Sequence, residues 1–301
     1  RFILLGNMKA MVKQTNTFTL NSLFNNLSAN TQNTYIRAIF QFFRFVDKPF
    51  NKISEINDLE IINYISYLKS KYKANSINLK ITALRRFFTL VSILFGINNV
   101  FENVSKLKIK TSSRADKSIS PDKVLTAKEI NSLFDYLKKS KSKTAKRNYA
   151  LIRLLAETGI RISEALNIKL SDFYRIENHY SVKILGKGNK YRDVFISNEL
   201  YQLIEKVSYE DFVFKSTYGN KLTRTYVYRL LKKISLKVLK KAVNPHKLRH
   251  TFASAYIASN PSKLIALSKY LGHSSPSTTL SMYVHNLVEY NEVQNLFKSH
   301  I

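Results

Sequence analysis

The stretch NPHKLRHTFAS, Asn244–Ser254, places two histidines and an arginine within about one helical turn of a proline. Asn244 suits the N-cap and Pro245 the first helical position, so a helix is predicted to begin here. His246 and Arg249 then share one face beside the free N–H groups and the positive dipole end of the helix. This combination favours binding of a phosphate. A buried polar cluster explains it equally well, whereas a zinc site is disfavoured because the chain has no H-E-x-x-H pattern and no cysteine.

The charge of the chain favours a polyanionic partner. The 301 residues carry a formal net charge of +29, and basic residues exceed acidic ones in both halves of the sequence. Such an excess is more than solubility requires and is typical of nucleic-acid binding. Solvated lysine-rich faces without a binding role are the alternative explanation. The length allows two domains with separate cores. The absence of cysteine excludes disulfides and thiolate metal sites.

The N-terminal part is predicted to be helical. Apolar residues recur at helical spacing in Ser28–Val46, Asn57–Tyr72 and Asn75–Gly96. In the second of these, the spacing predicts a buried face made by Leu59, Ile62, Ile65 and Leu68. In the third, we expect the rings of Phe87 and Phe88 to lie in the core rather than to stack on bases.

The C-terminal part is predicted to be a separate mixed domain. Residues 107–123 are polar and are broken by Pro121, which is typical of a linker. Thr126 and Glu129 have the spacing of a capping box and predict a helix start. Within His179–Ser197, apolar residues alternate on either side of a basic, glycine-rich turn, which predicts a β-hairpin. The remainder is predicted to be helical.

Four further motifs accompany the opening one along the chain. They are T-G-x-R-x-S-E at Thr158–Glu164, G-K-G-x-K-x-R at Gly186–Arg192, L-G-H at Leu271–His273 and Y-x-H at Tyr283–His285. Together with H-x-L-R-H at His246–His250, they resemble the motifs of the tyrosine recombinases, the phage-type integrases and Xer-type recombinases, and occur in that family's order. Each motif is weak alone, but five in order are strong.

The resemblance implies a mainly α, two-domain fold that forms a clamp around DNA. Its expected parts are a helical, SAM-like core-binding domain over residues 17–106, the linker 107–123, and a mixed α/β catalytic domain over 124–301 with a small antiparallel sheet. A C-terminal exchange helix is expected at about 286–299. Its one face carries Leu287, Tyr290 and Phe297, so it is amphipathic.

The resemblance also implies roles for individual residues. Arg161 and Arg249 would bind the non-bridging oxygens of the scissile phosphate, and Tyr283 would be the nucleophile. His246 would assist as a general acid or base, His273 would hydrogen-bond the phosphate, and Lys187 would protonate the leaving 5′ oxygen. The expected DNA contacts elsewhere are Lys80, Arg85, Arg86, Lys190 and Arg192. Glu164 is expected to support the site rather than act in it.

The tyrosine assignment departs from the family at one point. His273 and Tyr283 are ten positions apart, one more than the family leads us to expect. Tyr270 and Tyr290 are the nearest alternatives, but neither has the Y-x-H context. We therefore predict Tyr283 as the nucleophile.

The family implies a recombination reaction and its partners. Strands of double-stranded DNA recombination sites would be cleaved through a 3′-phosphotyrosyl bond and exchanged through a Holliday junction by a homotetramer on two sites. No cofactor or metal would be needed. A Xer-type resolvase and a mobile-element integrase both fit, with a type IB topoisomerase and a non-catalytic DNA-binding regulator as rivals. No apolar run approaches membrane length, so we expect a cytoplasmic, nucleoid-associated protein without a membrane partner.

Overall fold

The computed structural model of the chain describes residues 20, 22–104, 124–186, 190–208 and 212–272. The chain divides into two compact units, Arg1–Asp116 and Lys117–Ile301. The described elements are mostly helices, with one small antiparallel sheet in the second unit, so the predicted fold class is confirmed. The predicted linker 107–123 and the predicted helix 286–299 lie outside the described residues.

The N-terminal unit is helical throughout its described elements. They are the 3₁₀ helices Ser22–Phe24 and Phe50–Glu55, and the α-helices α1 Ala29–Val46, α2 Asp58–Lys71, α3 Ala74–Phe95 and α4 Phe101–Val104. The side chains of Ser28 and Asn57 cap the starts of α1 and α2 by accepting backbone N–H bonds. Gly96 ends α3 in the left-handed conformation at φ 66°, as its position in the sequence predicted.

An aromatic cluster forms the core of this unit. The ring of Phe42 makes edge contacts with Tyr64, Phe88 and Phe101 at centroid distances of 5.1, 5.9 and 6.3 Å. Such edge-to-face pairs stabilise a core beyond the area that they bury. Phe87 and Phe88 are 1% and 2% exposed, which confirms that both belong to the core.

The predicted buried face of α2 is partly wrong. Leu59 and Ile62 are 63% and 46% exposed, whereas Ile61 and Tyr64 are fully buried. Ile65 and Leu68 are buried as predicted. The face is set by Tyr64, whose large ring packs against Phe42 and turns Leu59 and Ile62 to the outside.

The C-terminal unit combines seven described α-helices with three strands. The elements are α5 Ala127–Lys139, α6 Ala145–Thr158, α7 Ile162–Ala165, β1 Phe173–Ile176, β2 His179–Leu185, β3 Tyr191–Ser197, α8 Asn198–Glu205, α9 Arg224–Leu239, α10 Pro245–Ser259 and α11 Leu264–Leu271. Short 3₁₀ helices occupy Leu170–Asp172 and Pro261–Lys263. The predicted capping box is present, with Thr126 and Glu129 each bonding the other's backbone N–H.

The sheet has the order β1-β2-β3, with both pairs antiparallel. The predicted hairpin is β2 and β3, in which Val182 lies opposite Val194 and both are fully buried. The additional strand β1 pairs with the other edge of β2. Helix α6 packs against α5, α8 and α10, so its apolar residues lie in the middle of this unit. The hairpin and the ends of α6, α10 and α11 surround the candidate site.

Candidate active site

Arg161 is held at a tight turn after α6. The helix ends at Gly159, whose φ of 63° favours glycine, and a Cβ there would lie 2.6 Å from the ring of Phe252. Arg161 then begins the short helix α7. Its backbone N–H donates to Oε2 of Glu164 at 2.8 Å, and its Nη1 donates to Oε1 of the same carboxylate at 3.0 Å. The turn and these two bonds hold both the backbone and the guanidinium of Arg161.

His246 and Arg249 lie on the first turn of α10. Asn244 caps the helix by accepting the N–H of Lys247 at 2.9 Å, and Pro245 is the first helical residue, as predicted. Arg249 is only 7% exposed, and its Nη1 donates to the carbonyl of Gly159 at 2.9 Å. The buried arginine therefore ties the start of α10 to the turn that carries Arg161.

Both arginines converge on the C-terminal end of α11. Arg249 Nη2 donates to the carbonyl of Leu271 at 2.8 Å, and Arg161 Nη1 reaches the same oxygen at 3.3 Å. Arg161 Nη2 donates to the carbonyl of Gly272 at 2.8 Å. The last carbonyls of a helix have no partner within it and carry partial negative charge, so guanidinium groups satisfy them well. Two arginines from distant parts of the sequence are thus held side by side.

An open pocket of about 480 Å³ lies over these groups. Its lining residues come from the turns and helix starts just described and from the N-terminal part of α9: Ile160, Arg161, Ile162, Ser163, Arg224, Thr225, Tyr228, Pro245, His246 and Arg249. Guanidinium forks bind phosphate oxygens in two-bond geometry and cannot lose their charge at physiological pH. The pocket is therefore suited to a phosphate whose negative charge increases during a reaction.

His246 is exposed at this pocket and is surrounded by positive charge. Partial desolvation and the neighbouring guanidinium groups of Arg249 and Arg161 lower the pKa of His246 below its ordinary value. Because a lowered pKa favours the neutral imidazole at pH 7, His246 is available as a proton acceptor. Desolvation and the two arginines therefore act together to favour the neutral form of His246.

We expect this shift to be visible by NMR. In the free protein, the imidazole signal absent from His246→Gln should titrate below pH ~6.5, the ordinary value for histidine. Binding of a short DNA duplex should raise this pKa, since a phosphate in the pocket stabilises the imidazolium. A free-protein value at or above the ordinary one would contradict the described environment of His246.

Glu164 and Arg192 form a buried ion pair beside the pocket. Their side chains are 6% and 12% exposed, and Arg192 Nη1 and Nη2 donate to the two carboxylate oxygens at 3.1 and 2.8 Å. Burial by itself raises the pKa of Glu164, but the hydrogen bonds from Arg192 and Arg161 outweigh it, so the pKa is lowered and the group is a carboxylate. Arg192 was predicted to contact DNA. Its guanidinium is bonded within the protein, which does not favour a DNA contact, and the predicted DNA-binding role of Arg192 stays a prediction.

The sequence interpretation missed the residues that α9 contributes to the pocket. Arg224, Thr225 and Tyr228 line it with Arg161 and His246. Thr223 caps α9 by accepting the N–H of Tyr226 at 3.2 Å, so the free N–H groups of this helix start lie close to an exposed arginine. The Thr-Arg pair at the start of a helix was the available signal, but no pattern linked it to the other motifs.

Three of the predicted site residues, Lys187, His273 and Tyr283, lie outside the described residues. Lys190 is described and exposed on the hairpin, where its carbonyl accepts the N–H of Gly186 at 2.9 Å. His250 is half-buried one turn from His246.

The N-terminal candidates lie along α3 of the other unit and are half-buried. The ammonium of Lys80 bonds Gln41 and lies 4.7 Å from the ring centre of Tyr72, and Arg86 donates to Asn26 at 3.0 Å. DNA binding by Lys80, Arg85 and Arg86 stays a prediction, since these contacts within the protein do not test it.

Neither a metal-binding group of side chains nor a membrane-spanning helix is found in the described part of the chain. Within it, no group of three or more histidine, aspartate or glutamate side chains is arranged to hold a metal ion. None of its helices has the length and apolar character needed to cross a membrane.

The described site is a cationic pocket lined by two arginines that meet at one carbonyl, a histidine and helix starts. Residues 123–289 match the phage integrase family, and residues 16–92 match the SAM-like N-terminal domain of phage integrases. The tyrosine recombinase XerC of Listeria welshimeri is 30% identical over 275 residues, covering 86% of this chain and 88% of that protein. The TnP I resolvase of Bacillus thuringiensis is 31% identical over 269 residues, covering 85% and 89%.

The fold agrees with that of solved recombinases. The XerH site-specific recombinase, in a post-cleavage complex with a palindromic difH substrate, superposes with a TM-score of 0.72 at 22% identity, covering 98% of this chain and 87% of that one. The chain belongs to the phage integrase family and is a site-specific tyrosine recombinase.

Proposed function

We propose that the pocket formed by Arg161, Arg249 and His246 binds the scissile phosphate of a double-stranded DNA recombination site. The observation that carries this proposal is that both guanidinium groups meet at the carbonyl of Leu271 while lining one open pocket. The solved XerH complex contains a recombination substrate, which supports DNA as the ligand of the related fold. The net charge of +29 supports the same ligand.

The proposed reaction begins with attack of the Tyr283 hydroxyl oxygen on the scissile phosphorus. The bond from phosphorus to the 5′ oxygen breaks, giving a 3′-phosphotyrosyl linkage and a free 5′-hydroxyl. Neutral His246 accepts the phenolic proton, and Lys187 donates a proton to the 5′ oxygen. His273 hydrogen-bonds the phosphate. A phenol is a weak nucleophile near its free pKa of ~10, so a proton acceptor and positive surroundings are needed.

The arginines supply the electrostatic part of catalysis. Negative charge builds up on the non-bridging oxygens in the transition state, where Arg161 and Arg249 bind them. Because these guanidinium groups are already held by protein carbonyls, little reorganisation is needed when the charge develops. This arrangement stabilises the transition state without a metal ion.

Rejoining reverses the chemistry on a partner strand. A 5′-hydroxyl from the partner attacks the phosphotyrosyl bond and releases Tyr283, so the phosphodiester is restored without ATP. We propose that the exchange proceeds through a Holliday junction within a homotetramer on two DNA sites, and that helix 286–299 docks on a neighbouring protomer. The protein would act in the cytoplasm, associated with the nucleoid.

The N-terminal unit is proposed to complete the grip on DNA. We assign residues 17–106 to the core-binding domain, 107–123 to the linker and 124–301 to the catalytic domain, which together clamp the duplex. Lys80, Arg85, Arg86 and Lys190 would contact DNA phosphates. Such contacts position the protein and make its affinity depend on salt.

Cleavage is expected to survive removal of divalent metal. With excess EDTA at matched ionic strength, formation of the covalent protein–DNA adduct should proceed at the rate seen without chelator, since cations of the protein neutralise the phosphate. The adduct is counted on a denaturing gel with an end-labelled site. Complete loss of adduct that returns with magnesium would contradict the proposal and indicate a metal-dependent nuclease.

The C-terminal helix is expected to act between protomers. Deletion of residues 287–301 should weaken pairing of two sites more than binding to one site, because the proposed contact exists only in the assembled complex. Gel-shift titrations on one site and on two joined sites give the comparison. Equal loss in both would mean that the helix belongs to the core of its own domain.

The proposed reaction fits both a Xer-type resolvase and a mobile-element integrase. Similarity to XerC favours a Xer-type resolvase. The second relative, TnP I, is also named a resolvase. Sequencing the DNA ends of covalent adducts captured from a genome would identify the target site. The rival topoisomerase would relax plasmids that lack any special site, and a DNA-binding regulator would form no adduct on any DNA.

A further inference from the structure

The Arg192 guanidinium donates three described hydrogen bonds to backbone and carboxylate groups around the proposed site. It forms the two-bond pair with Glu164, and its Nε donates to the carbonyl of Tyr270 at 2.6 Å. A Cβ placed on Gly272 would lie 3.0 Å from its Nη1, and one placed on Gly186 would lie 3.3 Å from the same atom. The guanidinium therefore lies against the backbone of two glycines that are far apart in the sequence.

These two glycines directly precede residues to which the proposed reaction gives roles. Gly186 is followed by Lys187, and Gly272 is followed by His273. Any side chain at either glycine would crowd the Arg192 guanidinium, since contacts of 3.0–3.4 Å are tighter than ordinary packing. The Arg192 guanidinium therefore lies next to the backbone of both glycines, just before each of these segments.

Glu164 extends this network to Arg161. Its Oε1 accepts bonds from Nη1 of both Arg161 and Arg192, at 3.0 and 3.1 Å. Its Oε2 accepts from the Arg161 backbone and from Arg192 Nη2, both at 2.8 Å. Arg161 and Arg192 then donate to two carbonyls at the end of α11, those of its C-cap Gly272 and of Tyr270. Without Arg192, two of the four bonds that hold the carboxylate would be lost.

A buried ion pair is weak evidence for a role in stability alone, because desolvation of the charges offsets much of their attraction. The planar Arg192 guanidinium connects its own strand β3 to Glu164 in α7 and to the end of α11. Its directional bonds fix the relative positions of these elements more strictly than apolar packing would. We propose that Arg192 is a positioning residue for DNA strand cleavage. It holds Glu164, Arg161 and the end of α11 in fixed positions relative to the hairpin. This inference rests on the proposed function of the pocket.

The test uses Arg192→Met, Arg192→Lys and the control Arg175→Met in the full chain. Arg175 is an exposed arginine on β1 of the same sheet, and its described bond is to the nearby carbonyl of Glu177. Arg192→Met should slow single-turnover cleavage at saturating DNA by about 10²-fold, the effect of misplacing a catalytic group by roughly 1 Å. Arg192→Lys should lie between Met and the parent, since lysine keeps the charge but loses the fork. Arg175→Met should cleave like the parent.

Binding measurements distinguish positioning from a DNA contact. A positioning residue leaves the single-site affinity and its salt dependence unchanged. If Arg192 instead contacts a phosphate, Arg192→Met binds more weakly, the salt slope falls by about 1, and cleavage at saturating DNA is normal. That result, or parental cleavage by Arg192→Met, overturns the inference.

Two further measurements separate other outcomes. Circular dichroism melting shows whether Arg192→Met is folded at the assay temperature. If it is unfolded, the test rests on folded Arg192→Lys. Intermediate cleavage by Arg192→Lys then supports the inference, and cleavage by Arg192→Lys at the parental rate overturns it. Glu164→Gln combined with Arg192→Met should be no slower than the slower single variant, because both act through one network. Multiplied effects would contradict this coupling. Failure of the parent protein to form any adduct would instead overturn the proposed function.

Discussion

Tyr283→Phe is expected to bind its DNA site as tightly as the parent protein and to form no covalent adduct. In the proposed reaction the phenolic oxygen of Tyr283 forms the covalent bond to DNA, so its removal leaves nothing to make that linkage. Binding should persist because affinity comes mainly from many phosphate contacts by a chain of net charge +29. A gel shift measures binding, and a denaturing gel with SDS measures the adduct.

Tyr270 provides a matched control for this variant. Burial raises the pKa of Tyr270 to about 12, which makes its phenol a poorer nucleophile than a solvated tyrosine. Tyr270→Phe should therefore retain the adduct. Adduct in Tyr283→Phe together with its loss in Tyr270→Phe would transfer the role to Tyr270 and overturn the assignment made from the Y-x-H motif.

The second large effect is expected at Lys187. A 5′ alkoxide is a poor leaving group, and positioned proton transfer typically contributes about 10²–10⁴-fold, so Lys187→Ala should be slower by that factor on normal DNA. When sulfur replaces the bridging 5′ oxygen, the leaving thiolate no longer needs the proton. Lys187→Ala should then cleave at nearly the parental rate. Single-turnover cleavage of the two substrates provides the measurement.

Arg161 and Lys190 provide the controls for the sulfur substrate. Arg161→Ala should be slow on both substrates, because charge on the non-bridging oxygens is the same in each. Lys190 lies on the same hairpin, with its side chain exposed, and is proposed to contact a phosphate outside the cleaved bond. Rescue of Lys190→Ala in place of Lys187→Ala would transfer the acid role to Lys190, and rescue of neither would exclude lysine from that step.

Local sequence chemistry predicted several helix ends, one of which carries His246 and Arg249. Asn244 with Pro245, Thr126 with Glu129, and the glycine that ends α3 each act through neighbouring backbone groups, so a short pattern contains the necessary information. The five motifs led to the family for the same reason, because each keeps its residues close along the chain.

The pairings between distant segments could not be predicted in this way. Arg192 and Glu164 are both compatible with a solvent-exposed surface, and only the folded chain brings their side chains into a buried pair. Arg224 reaches the pocket through the placement of α9, and its sequence neighbours give no indication of this. The buried face of α2 could not be predicted from local spacing either. Leu59 is exposed because the ring of Tyr64 packs into the core and determines which face of α2 is buried.

The most direct test of the account identifies the tyrosine that is joined to DNA. Tyr270, Tyr283 and Tyr290 have no lysine or arginine between them, so trypsin leaves all three on one peptide. Cleavage after Met282 and after Glu289 separates them and places Tyr283 alone in residues 283–289. After nuclease trimming of the adduct, mass spectrometry should find the nucleotide on that fragment. A nucleotide on a fragment carrying Tyr270 or Tyr290, with 283–289 unmodified, would contradict the account.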